Sequence, residues 1–455
     1  MAKIFKPSNQ SSKRKHKSLA KQLPDFVGDV SGYDPEAKGI IRTSSGRIAF
    51  VPSVIIGETV KVRPRTYTEK IIKADVLDVL TPSEKRVSPA CKHYELCGGC
   101  QLQHMHDEHQ IEAKQSALNQ LLMKQLGLTH VPWQPTISAE PWHYRRSARL
   151  SIWFNKDGSF ELGFRQNKSK QIVNIDSCPI LVQPLSELII KMKPVIQQLE
   201  NRTAITHIQM FAQNKQCNLI FRIVNSLTNQ DTTILKDFAE QHKCLILLEH
   251  DKHKYQLVYS PTEQDGMQFE YQVGAIQYRF SPHNFVQVNA EVNHLMIQQA
   301  LSWLQINKDD TVLDLFSGVG NFTLPIAKEA KQVFAVEGVV DMVKQLNNNA
   351  QLNGFDNISA HQADLSIIEE KYKPMWLKHI DKLLLDPARD GAFEVVKKIP
   401  LLNPKQILYV SCNPTTLVRD VKVLQDAGYT LKKMGLLNMF PQTSHVEAMA
   451  LLERK

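Results

Sequence analysis

Nowhere does the sequence run through the ~20 consecutive apolar residues that a membrane-spanning helix needs. Its aliphatic strings are as short as Leu383-Leu384-Leu385, so no membrane role is expected. The amino terminus lacks the apolar core of a secretory signal, because Lys13-Arg14-Lys15-His16-Lys17 is a run of charge. Acidic residues are in deficit, 46 Asp and Glu against 55 Lys and Arg, giving a formal net charge of +9. An excess of that sign favours a polyanionic partner, nucleic acid above all. Cysteines do not pair off, since there are seven. With no signal core, that odd count argues against a disulfide framework and for a reducing, cytoplasmic setting. Neither a disordered nor a fibrous class fits 455 residues that are 42% hydrophobic and 22% charged, a length sufficient for two or three domains.

What is present falls into four regions. Residues 1–21 form a basic arm expected to be disordered. From 22 to 81, Gly32, Gly39, Gly46 and Gly57 punctuate short β-rich runs such as Ile48-Ala49-Phe50-Val51 and Thr59-Val60-Lys61-Val62. Short strands between turn signals predict a small, OB-like β-barrel. Lys38, Arg42, Arg47, Lys61, Arg63, Arg65 and Lys70 would stud its surface. Residues 82–280 make a central β-rich region, opened by a helix over about 102–126 whose apolar positions include Met105, Ile111, Leu118 and Leu122 and which stops at Gly127. In Tyr144-Arg145-Arg146-Ser147-Ala148-Arg149-Leu150-Ser151-Ile152-Trp153, basic and aromatic residues interleave along a strand, a composition suited to RNA phosphates and unpaired bases or to a plain charged sheet face. Residues 281–455 alternate strands and helices, as in a doubly wound sheet.

Cys91, Cys97 and Cys100 stand six and then three residues apart around Gly98-Gly99, which lets the backbone curl and turn three sulfurs toward one centre. Cys178 is the candidate fourth ligand, because Cys178-Pro179 sets a thiol before a proline as in ferredoxin cluster motifs. An iron–sulfur cluster and a zinc site completed by His93, His104, His106 or His109 both satisfy that spacing. The C-x3-C-x2-C spacing of radical enzymes is absent. Cys217 and Cys244 sit in apolar strings and read as buried packing.

The seventh thiol differs. Cys412 follows Ile407-Leu408-Tyr409-Val410 on the turn Ser411-Cys412-Asn413-Pro414, a placement that holds a nucleophile at the tip of a buried strand. Upstream, Asp314-Leu315-Phe316 runs into Ser317-Gly318-Val319-Gly320-Asn321, a strand-to-helix turn open enough for a cofactor to approach the backbone. It lacks the third glycine of a dinucleotide fingerprint, which disfavours a pyrophosphate site. Glu337 closes the next strand roughly 20 residues on, where a ribose-binding acid belongs. Asp314, Glu337, Asp364 and Asp386 all fall near predicted strand ends, the edge at which open α/β sheets bind ligands. From these residues alone an oxidoreductase using nicotinamide beside an iron–sulfur centre and a non-catalytic RNA-binding protein stay open.

The segments Asp314 to Ala327, Asp386-Pro387-Ala388-Arg389, Ser411 to Pro414 and Met439 to Glu447, preceded by Ser281 to Asn289, resemble the RNA uracil-5-methyltransferase family. The resemblance covers nearly the whole chain beyond the basic arm. It implies a Rossmann-like class I methyltransferase domain that holds S-adenosylmethionine at Gln287, Phe316, Asn321, Glu337, Asp364 and Asp386. It also implies Cys412 as the nucleophile that adds to carbon 6 of uracil, and Glu447 as the base that removes the carbon 5 proton. It further implies a TRAM-type barrel and a four-iron, four-sulfur cluster on Cys91, Cys97, Cys100 and Cys178. Barrel and cluster together match the branch of the family that methylates 23S ribosomal RNA; a different uridine, there or in tRNA, is the alternative substrate. A monomer is expected.

Overall fold

The structure is a computed structural model that describes residues 23–213, 216–262, 268–364 and 379–455. The basic arm lies outside the described residues. Two compact units result: residues to Gly32 with Lys38–Ser83, and Tyr33–Ala37 with Glu84–Lys455.

The first unit is the anticipated barrel. Strands β1 to β5 (Phe26–Tyr33, Gly39–Arg42, Ile48–Val51, Thr59–Tyr67 and Ile71–Thr81) close in the order β1-β2-β3-β5-β4. Alternation explains the closure: along β4, Val60, Val62 and Pro64 turn inward while Lys61, Arg63 and Arg65 turn to solvent. Val30, Ile41, Val51, Val60 and Ile72 fill the interior. Arg63 pairs with Asp25 and Arg65 with Asp75, so part of the basic surface is spent internally.

In the second unit, α1 spans Asp107–Leu126 and stops at Gly127 in a left-handed conformation. It starts later than the sequence suggests. Leu102 and Met105 are buried, as apolar residues should be, but in a turn whose backbone is held from outside the helix. A seven-stranded sheet follows, built from β6 to β12 (Ser147–Phe154, Phe160–Arg165, Ile172–Asn174, Ile205–Gln213, Gln216–Ile223, Leu245–Asp251 and Lys254–Tyr259). Its order is β12-β11-β10-β9-β6-β7-β8, with α2 (Gln183–Gln198) and α3 (Asn229–His242) covering one apolar face. Cys217 and Cys244 are buried in that face. Next come the hairpin β13 (Phe269–Val273) and β14 (Ile276–Phe280), then α4 (Ala290–Leu304).

The last sheet comprises β15 (Thr311–Leu315), β16 (Gln332–Glu337), β17 (Ile358–Gln362), β18 (Lys382–Leu385), β19 (Gln406–Ser411), β20 (Tyr429–Leu437) and β21 (Glu447–Arg454). Its order is β17-β16-β15-β18-β19-β21-β20. The first five strands are parallel, whereas β21 runs antiparallel to both neighbours. Both faces are covered. Leu384, Leu408 and Val410 face one core with α4, while Leu383, Leu385, Ile407 and Tyr409 face the other. This is why the strands read as continuous apolar runs rather than as alternation. The connecting helices are α5 (Thr323–Glu329), α6 (Val340–Leu352), the short α7 (Phe393–Val396) and α8 (Ile399–Leu402), and α9 (Pro414–Asp426). Leu118, Leu122 and Leu126 of α1 join the second core beside Val421 and Leu424 of α9. Thus α1 packs into the last sheet's own core although it precedes the central sheet in the chain.

Candidate active site

The parallel pairing of β15 to β19 brings their carboxyl ends to one edge, and every acid expected there arrives. Phe316 follows β15, Glu337 ends β16, Asp364 lies just beyond β17, and Asp386 follows β18. Phe316 has φ 67, a left-handed conformation that a non-glycine residue adopts only when its surroundings impose it. The backbone amides of Phe316 and Ser317 both donate to the Val336 carbonyl, which bends the chain away from the sheet. Glu337 is oriented by two backbone amides: Gly318 N–H donates to its Oε2 at 3.0 Å and Val339 N–H to its Oε1 at 3.0 Å. Asn321 forms a reciprocal amide pair with Asn293 at 2.9 and 3.0 Å. Gln287 is buried, and its carbonyl accepts from Arg146 Nε at 2.9 Å.

Two features of this edge mark it as a polar ligand's cradle. Among the described residues, Ser317 Oγ and Asp314 Oδ1 are buried without a hydrogen-bond partner, and a side chain built on Gly318 would meet nothing within 4 Å. Buried polar atoms left unpaired cost on the order of 1–3 kcal/mol each, so a ligand that pairs them recovers that cost. Burial pushes the Asp314 carboxyl up to about 7, and the charges of Asp386 and Glu337 add to the effect.

Cys412 stands immediately beyond β19. Asn413 caps α9 by accepting from Thr415 N–H, and Pro414 opens that helix, so the Ser-Cys-Asn-Pro turn is a strand-to-helix junction. Asn413 also donates to the Arg389 carbonyl at 2.9 Å, which ties the thiol's turn to the Asp386-to-Arg389 turn. In the antiparallel pairing of β19 with β21, Ser411 lies opposite Ala448. One step further along the same register sets Cys412 opposite Glu447, the first residue of β21.

Electrostatics report the same convergence. Burial, then the charges of Glu447 and Asp386, push the Cys412 thiol up, while the Arg389 guanidinium pulls it down. Burial and Asp386 push the Glu447 carboxyl up to about 8, and burial pushes Asp386 up to about 7. Glu447 is 3% exposed and its Oε2 has no hydrogen-bond partner among the described residues. Near neutral pH the pocket thus holds acids that sit close to their titration points, as proton-transfer sites require.

The four remaining candidate ligands lie within electrostatic reach of one another. Burial raises the Cys100 thiol to about 12, with Cys178, Cys97 and Cys91 each adding to it. Burial likewise raises Cys178 to about 11, with Cys91 and Cys97 contributing. The sulfurs are therefore near enough to repel one another as thiolates, although among the described residues no three His, Cys, Asp or Glu side chains are arranged to hold a single metal ion. Of the histidines proposed as alternatives, His104 Nδ1 is engaged by the Tyr94 hydroxyl at 2.8 Å and His109 Nδ1 by Glu112 at 2.8 Å. All seven cysteines are free of disulfides.

A family model described as tRNA (Uracil-5-)-methyltransferase matches residues 106–455. A 23S rRNA (uracil(1939)-C(5))-methyltransferase RlmD of Shewanella halifaxensis (strain HAW-EB4) is 39% identical over 456 residues, covering 100% of both chains. Its counterpart in Shewanella sp. (strain MR-4) is 41% identical over 457 residues, covering 100% of this chain and 99% of its own. The chain belongs to the RNA uracil-5-methyltransferase family. Among solved structures, Pyrococcus abyssi tRNA (uracil-54, C5)-methyltransferase in complex with S-adenosyl-L-homocysteine superposes with a TM-score of 0.70 at 23% identity. That match covers 94% of this chain and 100% of the other, and it shows a shared fold.

For this uracil-5-methyltransferase, two residues of the edge differ from their sequence reading. Arg146 is not an outward RNA contact. It is buried, its guanidinium lies over the Tyr271 ring at 4.6 Å, and it anchors the segment carrying Gln287. Trp153 from the same run is 62% exposed and keeps its face available for stacking. Arg389, quoted only as part of a turn, proves to be the cation that favours the Cys412 thiolate. The local signal for that role is its place three residues after a strand-end acid.

Proposed function

We propose that this protein transfers a methyl group from S-adenosylmethionine to carbon 5 of a uridine in 23S ribosomal RNA, at the position named uracil 1939 in its relatives. The observation that best supports this is the β19–β21 register, whose continuation one residue beyond Ser411 and Ala448 brings Cys412 opposite the buried Glu447. Full-length identity to ribosomal RNA enzymes selects the substrate.

Carbon 5 of uracil is a weak nucleophile because attack disrupts the ring's conjugation. The Cys412 thiolate adds to carbon 6, forming a carbon–sulfur bond and moving electron density to carbon 5. Held at Gln287, Phe316, Asn321, Glu337, Asp364 and Asp386, S-adenosylmethionine supplies an electrophilic methyl that carbon 5 takes as its bond to sulfur breaks. Glu447 then accepts the carbon 5 proton, the double bond re-forms, and Cys412 leaves as thiolate. The thiol is only partly accessible, so the uridine must swing out of any stack to reach it. Unpaired RNA is therefore the preferred form.

The barrel serves as a TRAM-type RNA contact through the outward Arg42, Lys61 and Lys70. A four-iron, four-sulfur cluster would be held by Cys91, Cys97, Cys100 and Cys178, which are half-buried thiols whose ionisation a positive centre would favour. Protein purified without air is expected to contain iron and acid-labile sulfide in equal amounts; zinc in their place would overturn this part. The main test is incubation with labelled S-adenosylmethionine and unmodified 23S ribosomal RNA or tRNA, followed by mapping of the methylated base. One 5-methyluridine in 23S RNA and none in tRNA is expected; label confined to tRNA would reassign the substrate.

A further inference from the structure

The loop from Asn438 to Val446 joins β20 to β21 and ends at Glu447. Its backbone is held from outside at successive residues. The Phe440 carbonyl accepts from Lys114 Nζ at 3.1 Å and the Pro441 carbonyl from the Tyr144 hydroxyl at 3.0 Å. The Gln442 carbonyl accepts from the backbone amides of Gln101 and Leu102, both at 3.0 Å. Gln442 is 1% exposed, and its φ of 67 places it in the left-handed region, which costs a residue with a side chain ~1–3 kcal/mol. Its remaining polar atoms are also engaged: its N–H donates to Gln110 Oε1 at 2.9 Å, its Oε1 accepts from Gln110 Nε2 at 2.9 Å, and its Nε2 donates to Asp107 Oδ1 at 2.6 Å.

A β-turn does not need this. Holding a strained glutamine by every polar group, from a segment that begins next to Cys100, fixes where the following strand starts. Cys412 is held by the Asn413 cap and its bond to the Arg389 carbonyl; the loop reaches Arg389 through His445, whose Nδ1 lies 3.4 Å from an Arg389 guanidinium nitrogen, but not through Gln442, Asp107 or Gln110. The clamp and the nucleophile's turn share no hydrogen bond among the described residues.

We propose that Gln442, gripped by Asp107 and Gln110, is a positioning residue for Glu447, so that the segment following Cys100 governs proton removal and release of the RNA but not thiol attack. This rests on Glu447 being the base. A carboxylate displaced by about 1 Å loses roughly two orders of magnitude in rate, and here that loss falls on one half of the reaction.

The experiment compares Gln442→Ala, Gln442→Gly, Gln110→Ala and the milder Asp107→Asn in the full-length protein with a 23S ribosomal RNA fragment. Adduct formation and decay are followed on denaturing gels under single turnover, and donor affinity is measured by calorimetry. Adduct formation and donor affinity should stay within about twofold of the parent. Adduct decay and kcat should fall roughly 10- to 100-fold, with KM unchanged. Gln442→Gly relieves the backbone strain yet loses the side-chain grip, so it should behave like Gln442→Ala. If Gln442→Ala does not fold, Asp107→Asn, which weakens the bonds that Asp107 Oδ1 accepts from Gln442 and Gln110, should still slow decay more than formation. Equal slowing of both steps, or none in folded variants, overturns the proposal. Glu447→Gln run in parallel separates the two readings: if it fails to trap the adduct, the base assignment fails; if it traps and the clamp variants do not, only the clamp fails.

Discussion

Cys412→Ala is expected to lower methyl transfer by at least roughly 10⁴-fold, the scale seen when an enzyme's nucleophile is removed, while S-adenosylmethionine still binds. No other thiol is placed to substitute. Cys217 and Cys244 are buried under the central sheet's helices, and the remaining four interact with one another. Glu337 and Asn321, proposed above to hold the donor, lie outside the Ser411-to-Pro414 turn and keep their hydrogen bonds without the sulfur. The measurement is tritiated-methyl incorporation into unmodified 23S ribosomal RNA, with calorimetry for the donor. Turnover near the parent's would remove Cys412 from the mechanism, and loss of donor binding would show that the substitution damaged the site itself.

Glu447→Gln separates the two halves of the reaction. Thiol attack and methyl transfer proceed, but no carboxylate takes the carbon 5 proton, so protein and RNA remain joined and run as a slow band on a denaturing gel. Rapid release of product by this variant would exclude Glu447 as the base. The parent's own pH dependence carries a related signature. In its proposed role as base Glu447 must be ionised, and its carboxyl is held up at about 8, so release should accelerate as pH rises through that value.

Stability moves the other way. The folded value lies above the ordinary 4.5, so the folded state binds the proton more tightly than the unfolded chain does. The resulting stabilisation is full below about pH 4.5 and is lost as pH rises through about 8. Glutamine has no proton to lose. The variant should therefore melt above the parent near pH 9, by about 2–4 °C for each kcal/mol relieved. A lower melting point there would mean that Glu447 is not held against its charge.

Much of this site is legible locally. Cys412 stands out because Ile407 to Val410 is buried on both faces and must end at a ligand-bearing edge. The acids at 337, 364 and 386 follow from the same rule. Glu447 is legible only through family resemblance, since nothing local tells that its strand inserts between two others and runs against them. Long-range polar contacts mislead for a similar reason. Gln110 and Lys114 face inward on α1, where periodicity expects apolar residues, because their partners lie more than 300 residues away. Leu102 and Met105 continue the helical spacing into what is a clamped turn. Arg146 has the composition of an RNA contact but is buried beside aromatic rings of a later hairpin.

The entry of β21 between β19 and β20, both earlier in the chain, orders events during synthesis. The ribosome delivers the thiol, the donor edge and six strands before it delivers the acid. A growing polypeptide at that stage would own a nucleophile with no way to let go of RNA. It also has an open slot in its sheet, however, with Ile407 and Leu408 denied the neighbours that β21 supplies. Domains fold as units, so the missing strand withholds the finished pocket as well as the base. The strand that carries Glu447 is thus the same strand that completes the sheet beside Cys412.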